Sequence, residues 1–123
     1  PPTKMDQSEL IKEGHYAAFG TAGARTEMPG CSLCMGNQAQ VREGATVIST
    51  STRNFPNRLG KNTNVFLTSA ELAAVCSKLG KIPTVAEYLE AVGIINQDAA
   101  NVYKYMNFDQ IEEYAETAKG VTV

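Results

Sequence analysis

Two short apolar segments, separated by a long polar one, limit the folds open to this chain of 123 residues. Residues 45–49 (Ala-Thr-Val-Ile-Ser) are apolar and β-branched and predict a buried strand, and residues 65–67 (Val-Phe-Leu) predict the next strand. Residues 49–64 between them are mainly polar, and a loop of that length inside a compact domain is usually functional. We therefore expect the chemistry of the protein to involve this loop.

Helix signals surround the two strands. Before them we expect a helix from Asp6 or Ser8 to Phe19, a strand over 25–28 and a helix over 35–42. After them we expect helices from Ser69 to Leu79, from Thr84 to about Val92, from Asp98 to Met106, and from Phe108 to Lys119, the last capped by Asn107. Strands alternate with helices up to Leu79 and only helices follow. This order predicts a single α/β domain with α/β/α layers over residues 1–80 and a helical C-terminal extension over residues 81–123.

Composition excludes several classes of protein. The hydrophobic share of 43% and the charged share of 20% are those of a globular domain, not of a disordered chain. No apolar run approaches the roughly 20 residues of a membrane helix. The net charge of −2 argues against a general nucleic-acid or membrane surface. The opening Pro1-Pro2-Thr3 carries neither an initiator Met nor a signal peptide, and we expect a piece of a longer chain.

The chain has three cysteines, an odd number that fits a reducing, cytoplasmic compartment better than a disulfide framework. Cys31 and Cys34 form a Cys-x-x-Cys motif, and a following helix N-terminus would favour their thiolate forms. Three interpretations stay open on spacing alone: a metal or cluster site, a redox dithiol and two inert thiols. A zinc site needs four ligands, and only Cys76 and His15 remain in this chain.

All four arginines lie within residues 25–58, a stretch without lysine and with only two acids. Arg53 and Arg58 both fall in the polar loop. The planar guanidinium binds carboxylate and phosphate groups bidentately, so this pair can hold a polycarboxylate from two directions. The other interpretation is a solvated loop whose arginines cap helices.

Both motifs together resemble the aconitase superfamily. The likeness rests on residues 29–38 (Pro-Gly-Cys-Ser-Leu-Cys-Met-Gly-Asn-Gln) and residues 49–58 (Ser-Thr-Ser-Thr-Arg-Asn-Phe-Pro-Asn-Arg). It extends over nearly the whole chain and includes residues 16–20, 64–67, 69–74 and 107–108. Within the superfamily the sequence is most similar to the C-terminal end of the bacterial B-type members.

The resemblance implies a [4Fe–4S] cluster held by three cysteines. Cys31 and Cys34 would be two of the ligands, and the third would come from a part of the family's chain that this sequence lacks. The open iron position would act as a Lewis acid on the substrate. Arg53 and Arg58 would bind substrate carboxylates. The family's serine base comes from a separate swivelling domain, so no catalytic residue is expected in this chain, which alone should be inactive.

The implied reaction is the interconversion of citrate and isocitrate through cis-aconitate, with 2-methylisocitrate dehydration as a further activity. The implied partners are the tricarboxylate substrates and the remaining domains of a full-length enzyme, with no membrane. Two alternatives of other classes stay open. One is a stand-alone domain that binds a carboxylate or a metal without catalysis. The other is a regulatory RNA-binding fragment, for which the net charge of −2 gives no support.

Other polar residues receive structural roles in this interpretation. Cys76 lies on the apolar side of a predicted helix and is expected to pack as a small hydrophobe. His15 is expected to be a surface or partly buried residue, not a catalytic acid. Arg25 and Arg42 are expected to be structural. Three further residues are expected to shape the site: Asn37, Thr52 and Asn54.

Overall fold

The structure, a computed structural model, describes residues 3–27, 34–37, 39–106 and 111–119, and these residues include a small parallel sheet. Strand β1 (Thr46–Ser49) pairs with strand β2 (Asn64–Leu67), with Ser49 opposite Leu67. Parallel strands need a long crossover between them. Residues 50–63 provide it entirely as loop and turns, as the polar composition predicted.

Helices precede and follow the sheet. In the described residues they are α1 (Lys4–Lys12), α2 (His15–Thr21), α3 (Ala70–Leu79), α4 (Val85–Gln97), α5 (Ala99–Val102), a 3₁₀ helix (Lys104–Met106) and α6 (Glu112–Lys119). Mixed helices and strands with a parallel sheet confirm the predicted α/β class. No helix in the described part of the chain is long and apolar enough to cross a membrane.

The capping signals of α3 and α4 act as the sequence predicts. The Ser69 hydroxyl accepts a hydrogen bond from Leu72 N (3.2 Å), and α3 ends at Gly80, whose φ of 68° places it in the left-handed region. Thr84 and Glu87 form a reciprocal capping box at the start of α4. These local bonds satisfy backbone groups that a helix end otherwise leaves unpaired.

The single N-terminal helix predicted from Asp6 or Ser8 to Phe19 is wrong. The structure has two helices, α1 and α2, separated at Gly14, whose φ of 82° is left-handed and cannot continue a right-handed helix. Thr3 is the N-cap of α1, because its hydroxyl accepts the Asp6 N–H at 3.1 Å. Asp6, buried at 4% exposure, instead lies inside the first turn.

The helix predicted over 35–42 is also wrong. Residues 34–36 form a turn in which Gly36 has a left-handed φ of 75°. Further along, Val41 N donates to Leu59 O at 2.7 Å instead of to the preceding helical turn. The backbone of this segment therefore pairs across space with the 50–63 loop.

Three smaller predictions also need correction. Residues 25–27 are irregular, not a strand, and Met28 lies outside the described residues. Helix α4 continues five residues beyond Val92, to Gln97. The helix predicted from Asp98 to Met106 is divided into α5 and a 3₁₀ turn. The last helix begins at Glu112 in the described residues; its predicted cap Asn107 and start Phe108 lie outside them.

The interior centres on α3. Val75 and Cys76 are 4% and 7% exposed, and their helix contacts β1 on one side and α4 on the other. Leu59, in the 50–63 loop, is also buried, at 7% exposure. Other apolar side chains stay open to solvent, with Val85 at 77% and Phe66 at 48%.

Two polar contacts connect the C-terminal helices to the rest of the described chain. The Tyr103 hydroxyl donates to Glu71 Oε1 at 2.7 Å, which lowers the pKa of the Glu71 carboxyl and raises the pKa of Tyr103. The Lys104 ammonium forms an ion pair with Glu13 in the short turn after α1. The 3₁₀ region is therefore attached both to α3 and to the N-terminal helices.

The Glu87 carboxyl makes the stability of α4 dependent on pH. The pKa of the Glu87 carboxyl falls from its ordinary value of 4.5 to about 2, chiefly because of the hydrogen bond from Lys81 (2.6 Å) and then the Thr84 N–H (2.8 Å). A depressed pKa contributes stability that is present above pH 4.5 and is lost as the pH falls toward 2. Glu87→Gln should therefore lower the free energy of unfolding at pH 7, and its difference from wild type should shrink between pH 4.5 and pH 2.

Urea unfolding of the 123-residue chain, followed by circular dichroism at several pH values, measures this difference. Glu90→Gln is the matched control, because it removes a carboxylate from the same helix outside the capping box. An effect of Glu87→Gln that is equal at pH 7 and pH 2.5 would contradict the assignment.

Candidate functional site

Arg58 connects three separate segments of the chain. It is 3% exposed, although arginine is rarely buried. Its Nη1 donates to the backbone carbonyl of Cys34 (3.2 Å), and its Nη2 donates to the Ser49 hydroxyl (3.0 Å). The guanidinium thus joins the turn at residues 34–36, hereafter the cysteine turn, to the carboxyl end of β1 and to the polar loop.

The same guanidinium has no carboxylate partner among the described residues, where no ion pair involves it. Its Nε is buried and has no hydrogen-bond partner there either. A buried cation without a counter-ion is costly, by several kcal/mol on the order-of-magnitude scale of ion desolvation. An anion that reaches Arg58 would supply the missing negative charge and accept a hydrogen bond from the guanidinium.

A cleft of about 380 Å³ lies beside Arg58. Its walls come from the cysteine turn, the following segment, β1 and the loop. The lining residues are Cys34, Ala39, Val41, Val47, Ile48, Ser49, Thr50, Ser51, Arg58 and Leu59. The walls are therefore mainly apolar, with a few hydroxyl groups and one guanidinium, as in many small-molecule sites. The cleft adjoins the carboxyl end of β1, because Ser49 and Thr50 line it, and α/β folds commonly bind ligands at that end of their strands.

The second half of the loop is held by its own backbone and amide groups. Arg58 N donates to Phe55 O (3.2 Å), and the Asn57 side chain accepts the Asn62 N–H at 2.8 Å. Asn57 itself has a left-handed φ of 60°, which asparagine tolerates better than most residues. These bonds turn the chain back on itself around Arg58.

Gly36 lies directly against the backbone of Arg58. A Cβ at position 36 would come within 1.7 Å of Arg58 O, and φ is 75° there. Only glycine satisfies both the close approach and the left-handed backbone. The cysteine turn and the arginine are thus packed backbone to backbone as well as joined by the guanidinium.

Of the two cysteines of the sequence motif, the structure describes Cys34. Cys34 is half-buried and lines the cleft, whereas Cys31 lies outside the described residues. Cys76 is buried on α3 and does not line this cleft, as expected of a packing residue. No group of three His, Cys, Asp or Glu side chains suited to a metal ion occurs among the described residues.

The structure brings Cys34 and Arg58 together but does not bring Arg53 into the cleft. Arg53 is exposed on the loop, where its backbone N–H donates to the Ser51 hydroxyl at 3.2 Å. The Asn54 side chain donates to Val65 O (3.1 Å) and so holds the loop against β2. Thr52 is exposed and, like Asn54, is absent from the residues that line the cleft.

The remaining polar candidates lie on the surface. The exposed His15 is 3.2 Å from a Glu13 carboxylate oxygen, and Arg25 forms an ion pair with Glu27. Arg42 and Asn37 are exposed as well. None of these four residues lines the cleft in the described part of the chain.

The motifs contain two further residues of the site, Ser49 and Gly36, to which the sequence gives no individual role. Ser49 lies at the start of the polar loop as well as at the end of β1, and residues at the carboxyl ends of parallel strands often face ligands. Gly36 follows the second cysteine by two residues, and the predicted helix hid its role as a left-handed turn residue.

Comparison with known proteins gives several matches. Residues 1–80 match the aconitase family (aconitate hydratase). The chain is 63% identical over 123 residues to aconitate hydratase B of Pseudomonas aeruginosa, which covers 100% of this chain and 14% of that protein. It is 60% identical over 121 residues to aconitate hydratase B of Salmonella typhimurium, covering 98% of this chain and 14% of that protein. It is 40% identical over 81 residues to the 3-isopropylmalate dehydratase large subunit of Bacillus thuringiensis, covering 65% of this chain and 18% of that subunit.

The packing of Gly36 on Arg58 predicts a large effect of a small side chain. Gly44→Ala, at a φ of 72° with open space around it, should cost only the left-handed strain of about 1–2 kcal/mol. Gly36→Ala meets the same strain and also the Arg58 carbonyl, so it should cost about 1–3 kcal/mol more. Urea unfolding of both variants of the 123-residue chain measures the difference. Equal costs would contradict the close approach.

Proposed function

Because this chain belongs to the aconitase family, we propose that it forms part of an aconitate hydratase. The enzyme interconverts citrate and isocitrate through cis-aconitate, and it also dehydrates 2-methylisocitrate. The chain spans about a seventh of the length of the aconitate hydratases B that it matches. The rest of the site, including the serine base and a third cluster cysteine, belongs to the remaining domains, and the 123-residue chain alone is inactive.

The buried guanidinium of Arg58, which has no carboxylate partner among the described residues, is the observation that carries this proposal. A tricarboxylate offers the charge and the planar oxygen pair that such a guanidinium binds. The adjoining cleft has a volume of about 380 Å³, within the size range of small-molecule sites. Arg58 binds one substrate carboxylate in this proposal, and Arg53 binds a second one from the exposed part of the loop.

Cys31 and Cys34 supply two thiolates to a [4Fe–4S] cluster in this proposal. The donor set fits, because thiolates are the ligands of such clusters and Cys34 borders the same cleft as Arg58. When bound, the cluster supplies a Lewis-acid iron for the substrate's hydroxyl and carboxylate. The residues of this chain orient the carboxylates beside that position.

Residues 81–123 form a helical extension to the family's shared α/β part in this proposal. The family match over residues 1–80 supports this division. The exposed apolar side chains of α4, such as Val85 and Leu89, provide surface for the other domains of the enzyme. The odd number of cysteines supports a reducing cytoplasm as the site of action.

The cysteine assignment predicts different outcomes for different thiols. In the full-length protein, Cys31→Ser or Cys34→Ser should abolish cluster assembly, because a ligand is lost from a site with no spare thiolate. Cys76→Ala is the control, since it removes a buried thiol from α3 and should cost only packing stability. Visible absorbance after reconstitution with iron and sulfide reports the cluster. Loss of the chromophore in a folded Cys76→Ala variant would contradict the assignment.

The arginine assignment predicts that charge alone is insufficient. Arg58→Lys and Arg53→Lys keep the positive charge but lose the bidentate fork. Loss of a charge-assisted hydrogen bond costs on the order of 1.5–3 kcal/mol, so kcat/KM for citrate should fall by roughly tenfold to a hundredfold. Steady-state kinetics of the full-length enzyme measures the change, and the cluster absorbance should stay unchanged.

Arg42→Lys is the matched control, because Arg42 is exposed and outside the cleft. It should change kcat/KM by less than about twofold, as surface substitutions usually do. Wild-type efficiency in both loop variants would remove the substrate role of the arginines. If the full-length protein with its cluster assembled binds a tricarboxylate but does not convert it, the result would instead favour a domain that binds carboxylates without catalysis.

A further inference from the structure

We propose that the Ser49 hydroxyl is a positioning residue that fixes the guanidinium of Arg58 for carboxylate binding. This inference rests on the proposed function, because it assigns to Arg58 the recognition of a substrate carboxylate. Ser49 itself need not touch the substrate. Its role is carried by the 3.0 Å hydrogen bond that it accepts from Arg58 Nη2.

Ser49 is held in place by the pairing of β1 with β2 and by its own hydrogen bonds. It is the last residue of β1, in register with Leu67, and its carbonyl accepts the Thr68 N–H at 2.9 Å. Its hydroxyl also accepts the Ser51 N–H (3.2 Å), which draws the start of the loop toward the strand. A group held on a strand positions a partner better than one on a free loop.

The partners of the guanidinium occupy two of its three nitrogens. Nη1 is held by the Cys34 carbonyl and Nη2 by Ser49, one N–H from each nitrogen. The Nε N–H has no partner among the described residues, and Arg58 borders the cleft. Two bonds on different nitrogens fix the plane of the guanidinium. Loss of the Ser49 bond would leave only the single bond to Cys34, about which the guanidinium could turn.

The test measures binding of propane-1,2,3-tricarboxylate, a citrate analogue without the hydroxyl group, to the full-length protein by calorimetry. Ser49→Ala should raise the dissociation constant about threefold to tenfold, as expected for one lost hydrogen bond. Ser49→Thr should restore affinity, because it keeps the hydroxyl and suits a strand. Thr46→Val, which removes a hydroxyl from the opposite end of β1, should bind as wild type. Melting temperatures separate a loss of stability from a loss of affinity.

The double variant tests whether Ser49 acts through Arg58. Once Arg58→Lys has removed the fork, adding Ser49→Ala should weaken binding no further. Equal weakening by Ser49→Ala in both backgrounds, or unchanged affinity of Ser49→Ala, would overturn the positioning role.

The same measurements separate this inference from the proposed function. If Arg58→Lys weakens binding and Ser49→Ala does not, only this inference fails. If Arg58→Lys binds as wild type, the proposed substrate role of Arg58 fails as well. If Arg58→Lys does not fold, the comparison of Ser49→Ala with Ser49→Thr decides.

Discussion

The buried guanidinium of Arg58 is the interaction on which the site depends. It is bonded to the Cys34 carbonyl and the Ser49 hydroxyl, which belong to segments far apart in sequence. Removal of either bond would leave a buried cation with fewer partners, and this cost keeps the three segments together. The Nε N–H has no hydrogen-bond partner among the described residues. The same side chain can therefore organise the cleft and bind an anion in it.

Helices and strands with strong local signals could be predicted from the sequence. The β-branched segment before Ser49 became β1, and Ser69 and Thr84 cap α3 and α4 with their own side chains. Such elements need only local information, because the capping bonds span three residues. The break at Gly14 and the turn at Gly36 were missed, since each depends on a backbone angle that composition does not specify. At Gly36 the missing information is tertiary: the Arg58 carbonyl leaves no room for a side chain.

The site was predictable in its residue types more than in its geometry. Cys34 and Arg58 were both singled out by their motifs, and they meet across a contact between residues 24 positions apart. Arg53 belongs to the same motif but is exposed outside the cleft. A second carboxylate contact from Arg53 therefore requires the ligand to extend beyond the cleft walls seen in this chain. Ser49 lies in the same motif, but its contact with Arg58 was not predictable, because a serine at the end of a strand does not indicate its partner in the fold.

A crystal structure of the full-length protein with a tricarboxylate bound would test the central claim most directly. We expect a carboxylate oxygen within hydrogen-bond distance of the Arg58 guanidinium, with the contacts to the Cys34 carbonyl and the Ser49 hydroxyl retained. The claim would be contradicted if Arg58 were paired with a carboxylate side chain from another domain and the tricarboxylate were bound elsewhere.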